Sequence, residues 1–178
     1  QQAAAGGGAW VQLPRQHGIC SVPLRREPGL TSCAAEPRQA VVITSLGAGA
    51  WRVGNGLIEL DVSAAGLLAL RDRDGRDQLS SSLQLERYRD RGEFWDAWDL
   101  AADYRSQPLG VLCTDSLEWL DQGPLVAHLV LRRQLGASCM RLDLRLKADT
   151  PWLELICCID WRQTHELLRL ELPLATPA

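Results

Sequence analysis

Met140-Arg141-Leu142-Asp143-Leu144-Arg145-Leu146-Lys147 alternates apolar and charged side chains without a fault. Successive side chains of an extended chain point to opposite faces, so Met140, Leu142, Leu144 and Leu146 share one face. Arg141, Asp143, Arg145 and Lys147 share the other. A helical period would scatter the same residues around an axis. The stretch therefore predicts a β-strand with one dry and one wet face, the antiparallel kind.

The same period recurs outward from it. Ile58, Leu60 and Val62 alternate with Glu59 and Asp61, and Leu168, Leu170, Leu172 and Leu174 alternate with Arg169 and Glu171. Residues 125–131 and 152–161 are more continuously apolar, as expected of strands covered on both sides. Turn residues punctuate these runs: Gly54-Asn55-Gly56, Asp74-Gly75, Gly123-Pro124 and Asp149-Thr150-Pro151. Many short strands with close turns predict an all-β fold, an antiparallel β-sandwich. Helix is expected only in short pieces, around 92–104 or 163–166. Residues 1–9 are small and without period and read as linker. Residues 10–24 have room for one or two short strands, and 25–39, with Pro28, Gly29 and Pro37, read as a connection. The sandwich is expected to span 40–178, with 1–39 as linker and the short strand remnant of a preceding small β region.

Composition narrows the function classes. The 178 residues are 46% hydrophobic and 23% charged, a globular balance that argues against disorder. A net charge of -3 leaves no basic excess for phosphate contacts, so no nucleic-acid partner is expected. Apolar runs are far shorter than the roughly 20 residues that cross a bilayer, so no membrane span is expected either. Cys20, Cys33, Cys113, Cys139, Cys157 and Cys158 contain no CxxC spacing, and His17, His128 and His165 are far apart. Clustered ligands at short spacing are what a zinc site needs, so no metal site is expected in the chain. Free thiols suit a reducing compartment, which points to the cytoplasm. The first residues, Gln1-Gln2-Ala3-Ala4-Ala5, lack an initiator Met and a basic-then-apolar leader, and the chain is expected to be a piece of a longer protein.

One segment breaks the strand rhythm. Glu93-Phe94-Trp95-Asp96-Ala97-Trp98-Asp99-Leu100 packs two Trp and two Asp into five positions. Carboxylates beside indoles are the ingredients of a sugar site: the carboxylates accept hydrogen bonds from hydroxyls and the rings cover C–H faces. Paired carboxylates are also what glycoside hydrolysis requires. The structural alternative is an Asp-capped turn whose indoles plug the end of the sandwich. A second cluster is Asp160, Trp161 and His165, either an acid/base pair or a hydrogen-bonded corner. His128, inside an apolar strand, reads as a partly buried and satisfied side chain.

The string FWDAWDLAADYR at 94–105, preceded by LQLERYRD at 83–90, resembles the aromatic-Asp block of α-mannosidases of glycoside hydrolase family 38. VGNGLIELDVSAAGLLALRDRDGRDQL at 53–79 is similar to a strand pair of that family, and QGPLV at 122–126 to one of its turns. DWRQTHELLR at 160–169 is similar to a further block, although Arg162 and Thr164 depart from it. VQLPRQHGICSVPL at 11–24 resembles its strand ending a small β region, with a departure at 15–17. Five blocks in order cover about residues 10–174.

The resemblance implies a β-sandwich of the galactose-mutarotase-like supersandwich type, belonging to a zinc-dependent retaining α-mannosidase. It implies that the zinc, its ligands and the nucleophilic Asp lie in a catalytic barrel whose motifs are absent from these residues. The chain is then expected to be inactive alone, with no cofactor of its own. Its expected partners are the barrel of the same polypeptide and, through it, mannose-containing glycans. Trp95, Asp96, Trp98 and Asp99 become candidates for the substrate cleft or domain junction, with Asp160, Trp161 and His165 secondary. A free-standing carbohydrate-binding module is the alternative. A domain parted from its barrel would expose an apolar patch and tend to self-associate.

Overall fold

The structure, a computed structural model, describes residues 2–5, 7–11, 13, 37–92 and 98–175. The alternating stretch Met140–Lys147 lies in strand β11, Ser138–Lys147, which pairs antiparallel with β10, Val126–Leu135. The register sets Ala127, Leu129 and Leu131 opposite Leu146, Leu144 and Leu142, all at most 2% exposed. Strands β9 (Ser116–Gln122) and β12 (Leu153–Asp160) flank this pair, giving the sheet order β12-β11-β10-β9.

A second four-stranded antiparallel sheet runs β3-β4-β5-β6: Val42–Gly47, Ala50–Gly54, Ile58–Ser63 and Gly66–Asp72. Val53, Leu60, Val62 and Leu67 supply its buried face and join the first sheet's leucines in one core. Full burial of each such side chain contributes roughly 1.5–3 kcal/mol. Trp51 meets Trp119 edge-on across the sheets, with ring centroids 6.0 Å apart. The fold is an all-β antiparallel sandwich.

Two turn residues fasten the layers. Asn55, 1% exposed between β4 and β5, donates from Nδ2 to the carbonyls of Lys147 and Thr150, both at 2.8 Å. Its Oδ1 accepts from the Leu57 and Ile58 amides, so all its polar capacity is used. Gly123 adopts φ +76 between β9 and β10, and a Cβ there would lie 2.7 Å from the Val41 carbonyl oxygen. That turn can be built only with glycine.

A third sheet, β13-β7-β8, joins Glu166–Glu171, Gln84–Arg89 and Pro108–Val111. Leu85 of β7 reaches the common core. A two-stranded hairpin, β1 (Gln2–Ala3) with β2 (Ala9–Trp10), lies against the outer face of the first sheet. The Gln2 side chain accepts from the Leu125 and Val126 amides and donates to the Val126 carbonyl, as a neighbouring strand would.

Several expectations are corrected. Residues 2–5 and 9–10 are a docked hairpin, not free linker, because Gln2 satisfies backbone groups that would otherwise be buried and unpaired. The segment 152–161 is an edge strand: Trp152, Ile156 and Ile159 are 58%, 38% and 48% exposed. Its apolar run was read as covered on both faces, but no described strand lies beyond it. Residues 125–131 are buried on both faces, as their run predicts: Val126 and Val130 on the outer face are 3% and 0% exposed, while Arg132 and Gln134 further along the strand are exposed. No helix forms at 163–166, where the chain turns a corner into β13. The sole helical turn among the described residues is the 3-10 turn Tyr104–Ser106, and 93–97 lie outside them. Asp61 and Asp143, assigned to wet faces, are 8% and 3% exposed. Arg52 and Arg71 on the neighbouring strands cover Asp61, and Arg141, two positions away on the same strand, covers Asp143.

Candidate functional site

The connection that carries Trp98 and Asp99 meets the corner at His165 at one end of the third sheet. Strand β7 runs out at Arg89 into the connection that carries the Trp–Asp block, and β13 starts at Glu166 directly opposite. The Asp90 amide donates to the His165 carbonyl at 2.9 Å, so the base of the connection rests on the corner before β13. Asp90 Oδ1 accepts from the Ala101 amide at 2.8 Å, and the Arg89 amide donates to the Gln107 carbonyl. These bonds close residues 90–107 into a loop with fixed ends. Tyr104, near the end of that loop, packs edge-on against Tyr88 with ring centroids 5.4 Å apart.

Within the loop, Trp98 is 88% exposed. Asp99 is exposed too, and its Oδ1 accepts from the Leu100 amide at 2.9 Å. Trp95 and Asp96 lie outside the described residues. Trp98 therefore does not plug the sandwich.

The second cluster lies at the corner between β12 and β13. Asp160 ends β12, half exposed, and receives three hydrogen bonds from the Arg162 guanidinium at 2.8–3.0 Å. Those bonds hold its carboxyl below the usual carboxylate range. Trp161 Nε1 donates to the Glu166 carbonyl, and His165 takes φ +56 to turn the chain. The corner is tied down by the Arg162 amide on Ser138 Oγ and by Gln163 Nε2 on Leu135 O.

A depression of about 480 Å³ lies nearby on the first sheet, lined by Asp115, Arg132, Gln134, Arg141, Cys158 and Asp160 among others. It contains no aromatic ring on which a sugar could stack. Among the described residues no three His, Cys, Asp or Glu side chains converge as metal ligands. The described cysteines Cys113, Cys139, Cys157 and Cys158 are free thiols.

Sequence reasoning passed over a buried polar line on the outer face of the first sheet. His128 Nε2 lies 2.6 Å from Asp143 Oδ1 and its Nδ1 lies 3.6 Å from Asp121 Oδ2. Arg141 binds Asp143 with Nε and Nη2, and the Ala5 amide donates to Asp121. Only the strand register could have revealed it, since it joins residues from β9, β10 and β11.

Comparison with known families then decides the affiliation. The family model for the glycosyl hydrolases family 38 C-terminal domain matches residues 53–178. The chain belongs to that family. No curated protein sequence matches it. The family 38 domain thus places the Trp98 loop, the corner at 161–165 and the 480 Å³ depression within the matched region. The hairpin of β1 and β2 falls outside it.

Proposed function

We propose that the chain is a non-catalytic β-sandwich domain of a zinc-dependent retaining α-mannosidase that hydrolyses terminal α-mannosyl residues. In this reading the chain is inactive alone and works joined to a catalytic barrel, through which it meets mannose-containing glycans. Its family membership supports a glycoside hydrolase parent. Zinc belongs to that barrel in this reading: the described residues offer no ligand set, and no step of the reaction is assigned to them. Free thiols at four described cysteines support a cytoplasmic setting.

The observation that carries the reading is the 88% exposure of Trp98 on a loop whose two ends are fixed. An indole held in water forgoes the burial that usually stabilises it, and it gains that burial on contact with a second surface. Trp95, Asp96, Trp98 and Asp99 are placed at the junction with the barrel, where they shape the sugar cleft or lock the domains. Asp160 is held by Arg162 and, with Trp161 and His165, supports the base of that junction.

The same exposed indole favours a second reading, a free-standing carbohydrate-binding module. Titrating mannose into the millimolar range while following Trp fluorescence separates the two. The domain reading expects no saturable shift from the isolated chain, and reduced turnover when Trp98→Ala or Asp96→Asn is placed in the full-length enzyme. A saturable shift abolished by Trp98→Ala would establish the binding-module reading instead.

A further inference from the structure

Strand β12 ends its sheet, with β11 on one side and no described strand on the other. Free edges are ordinarily blunted by Lys, Pro, a bulge or very short length. β12 is eight residues long, has neither Lys nor Pro, and keeps an unbroken register with β11. Ile156 and Ile159 are 38% and 48% exposed, and Cys157 and Cys158 between them are exposed as well. The charges at its ends are already matched within the chain. Glu154 pairs with Lys147 and Arg145, and Asp160 pairs with Arg162. Among the described residues the outer side of β12 is an uncovered, largely apolar ladder with a charged group near each end.

We propose that β12 is the docking edge for a second copy of this chain, the two strands pairing antiparallel about a two-fold axis at Cys158. Faces and charges select that register. A two-fold axis normal to the sheet joins only residues that share a face, so it must pass through a residue position. Centred on Cys157, it sets Glu154 against Asp160 of the second copy, acid against acid. Centred on Ile156, it sets Glu154 against Cys158 and leaves both acids without a charged partner across the edge. Centred on Cys158, it sets Glu154 against Arg162 of the second copy at both ends, with Cys157 against Ile159 between them. The arrangement is isologous and closes at two copies, turning two four-stranded sheets into one continuous sheet.

Sedimentation equilibrium of the whole chain from about 1 to about 100 μM tests this, a range that brackets micromolar association. The expected result is twice the 19.7 kDa mass. Ile156→Glu places an acid on an already exposed position, opposite Asp160 of the second copy, and is expected to return monomer with an unchanged circular dichroism spectrum. Glu154→Arg and Arg162→Glu are each expected to weaken the dimer by about fivefold, and the double exchange to restore it. Copper–phenanthroline with dioxygen provides a second reading, removing two electrons and two protons from two facing thiols to form one disulfide. The covalent dimer is expected to vanish in Cys158→Ser and to persist in Cys139→Ser. Monomer throughout the range, a dimer indifferent to Ile156→Glu, or a cross-link that survives Cys158→Ser would each overturn the proposal.

Discussion

His128 Nε2 and Asp143 Oδ1 lie 2.6 Å apart on neighbouring strands, with the two residues only 5% and 3% exposed. Arg141 closes the far side of the carboxylate and Asp121 stands behind the ring. A charge buried this deeply is tolerable only while every partner is present. Asp143→Ala strands His128 and Arg141 together and is expected to cost about 3 kcal/mol in urea unfolding followed by Trp fluorescence. A loss well under 1 kcal/mol would mean that the cluster is not held as a unit.

The carboxyls also set an acid limit. Burial pushes Asp143 up, but the hydrogen bonds from Arg141 and His128 outweigh it and hold the group below its ordinary value. Hydrogen bonds from Arg52 act first on Asp61, with Arg71 adding to them against burial, and lower it as well. Each group has a lower folded than unfolded pKa, so its contribution is complete above the unfolded value of about 4 and fades as pH falls through the folded one. Urea midpoints are therefore expected to hold steady from neutrality to about pH 5 and to drop below about pH 4. Asp143→Asn should flatten that drop, and an unchanged slope would rule out Asp143 as a contributor.

Asn55, 1% exposed, makes four side-chain hydrogen bonds, two of them across to the Lys147 and Thr150 carbonyls of the other layer and two within its own turn. Asn55→Ala leaves two buried carbonyls and two amides short of a partner, and a loss of about 3 kcal/mol is expected. Asn55→Asp should fare worse at neutral pH, since a carboxylate would face the Lys147 and Thr150 carbonyls with no proton to give. Equal stability of the Asp variant and the parent would refute that account of the turn.

Trp98 yields the opposite expectation. With 88% of its surface in water, Trp98→Ala in the isolated chain should change stability by no more than about 0.5 kcal/mol, while removing a strongly solvent-exposed emitter from the fluorescence spectrum. A large loss of stability would show that the indole is packed, and the junction reading of the loop would fall with it.

Much of this architecture was legible from local pattern. The alternation from Met140 to Lys147 and from Ile58 to Val62 announced strands and named their dry faces, and the Gly and Asn turns marked where they reverse. Blocks spread along the chain indicated the family, which a match over residues 53–178 bears out. The candidate site was legible only in part. Its residue types stood out, yet nothing local said that the connection carrying Trp98 and the corner at His165 meet through Asp90.

Period and turn chemistry are properties of neighbouring residues, so the sequence by itself determined the strands at 58–62 and 140–147 and which side of each is apolar, while strands such as Gln84–Arg89 and Ser116–Gln122 carried no such signal. Burial is a property of what lies across the ladder. Asp143 became a buried ion because His128 sits two positions from it in register, on the adjacent strand, with Arg141 beside it. The apolar run of β12 remained exposed because it fell at the end of a sheet. Only the tertiary structure could decide these, since strand order joins residues that no local interaction brings together.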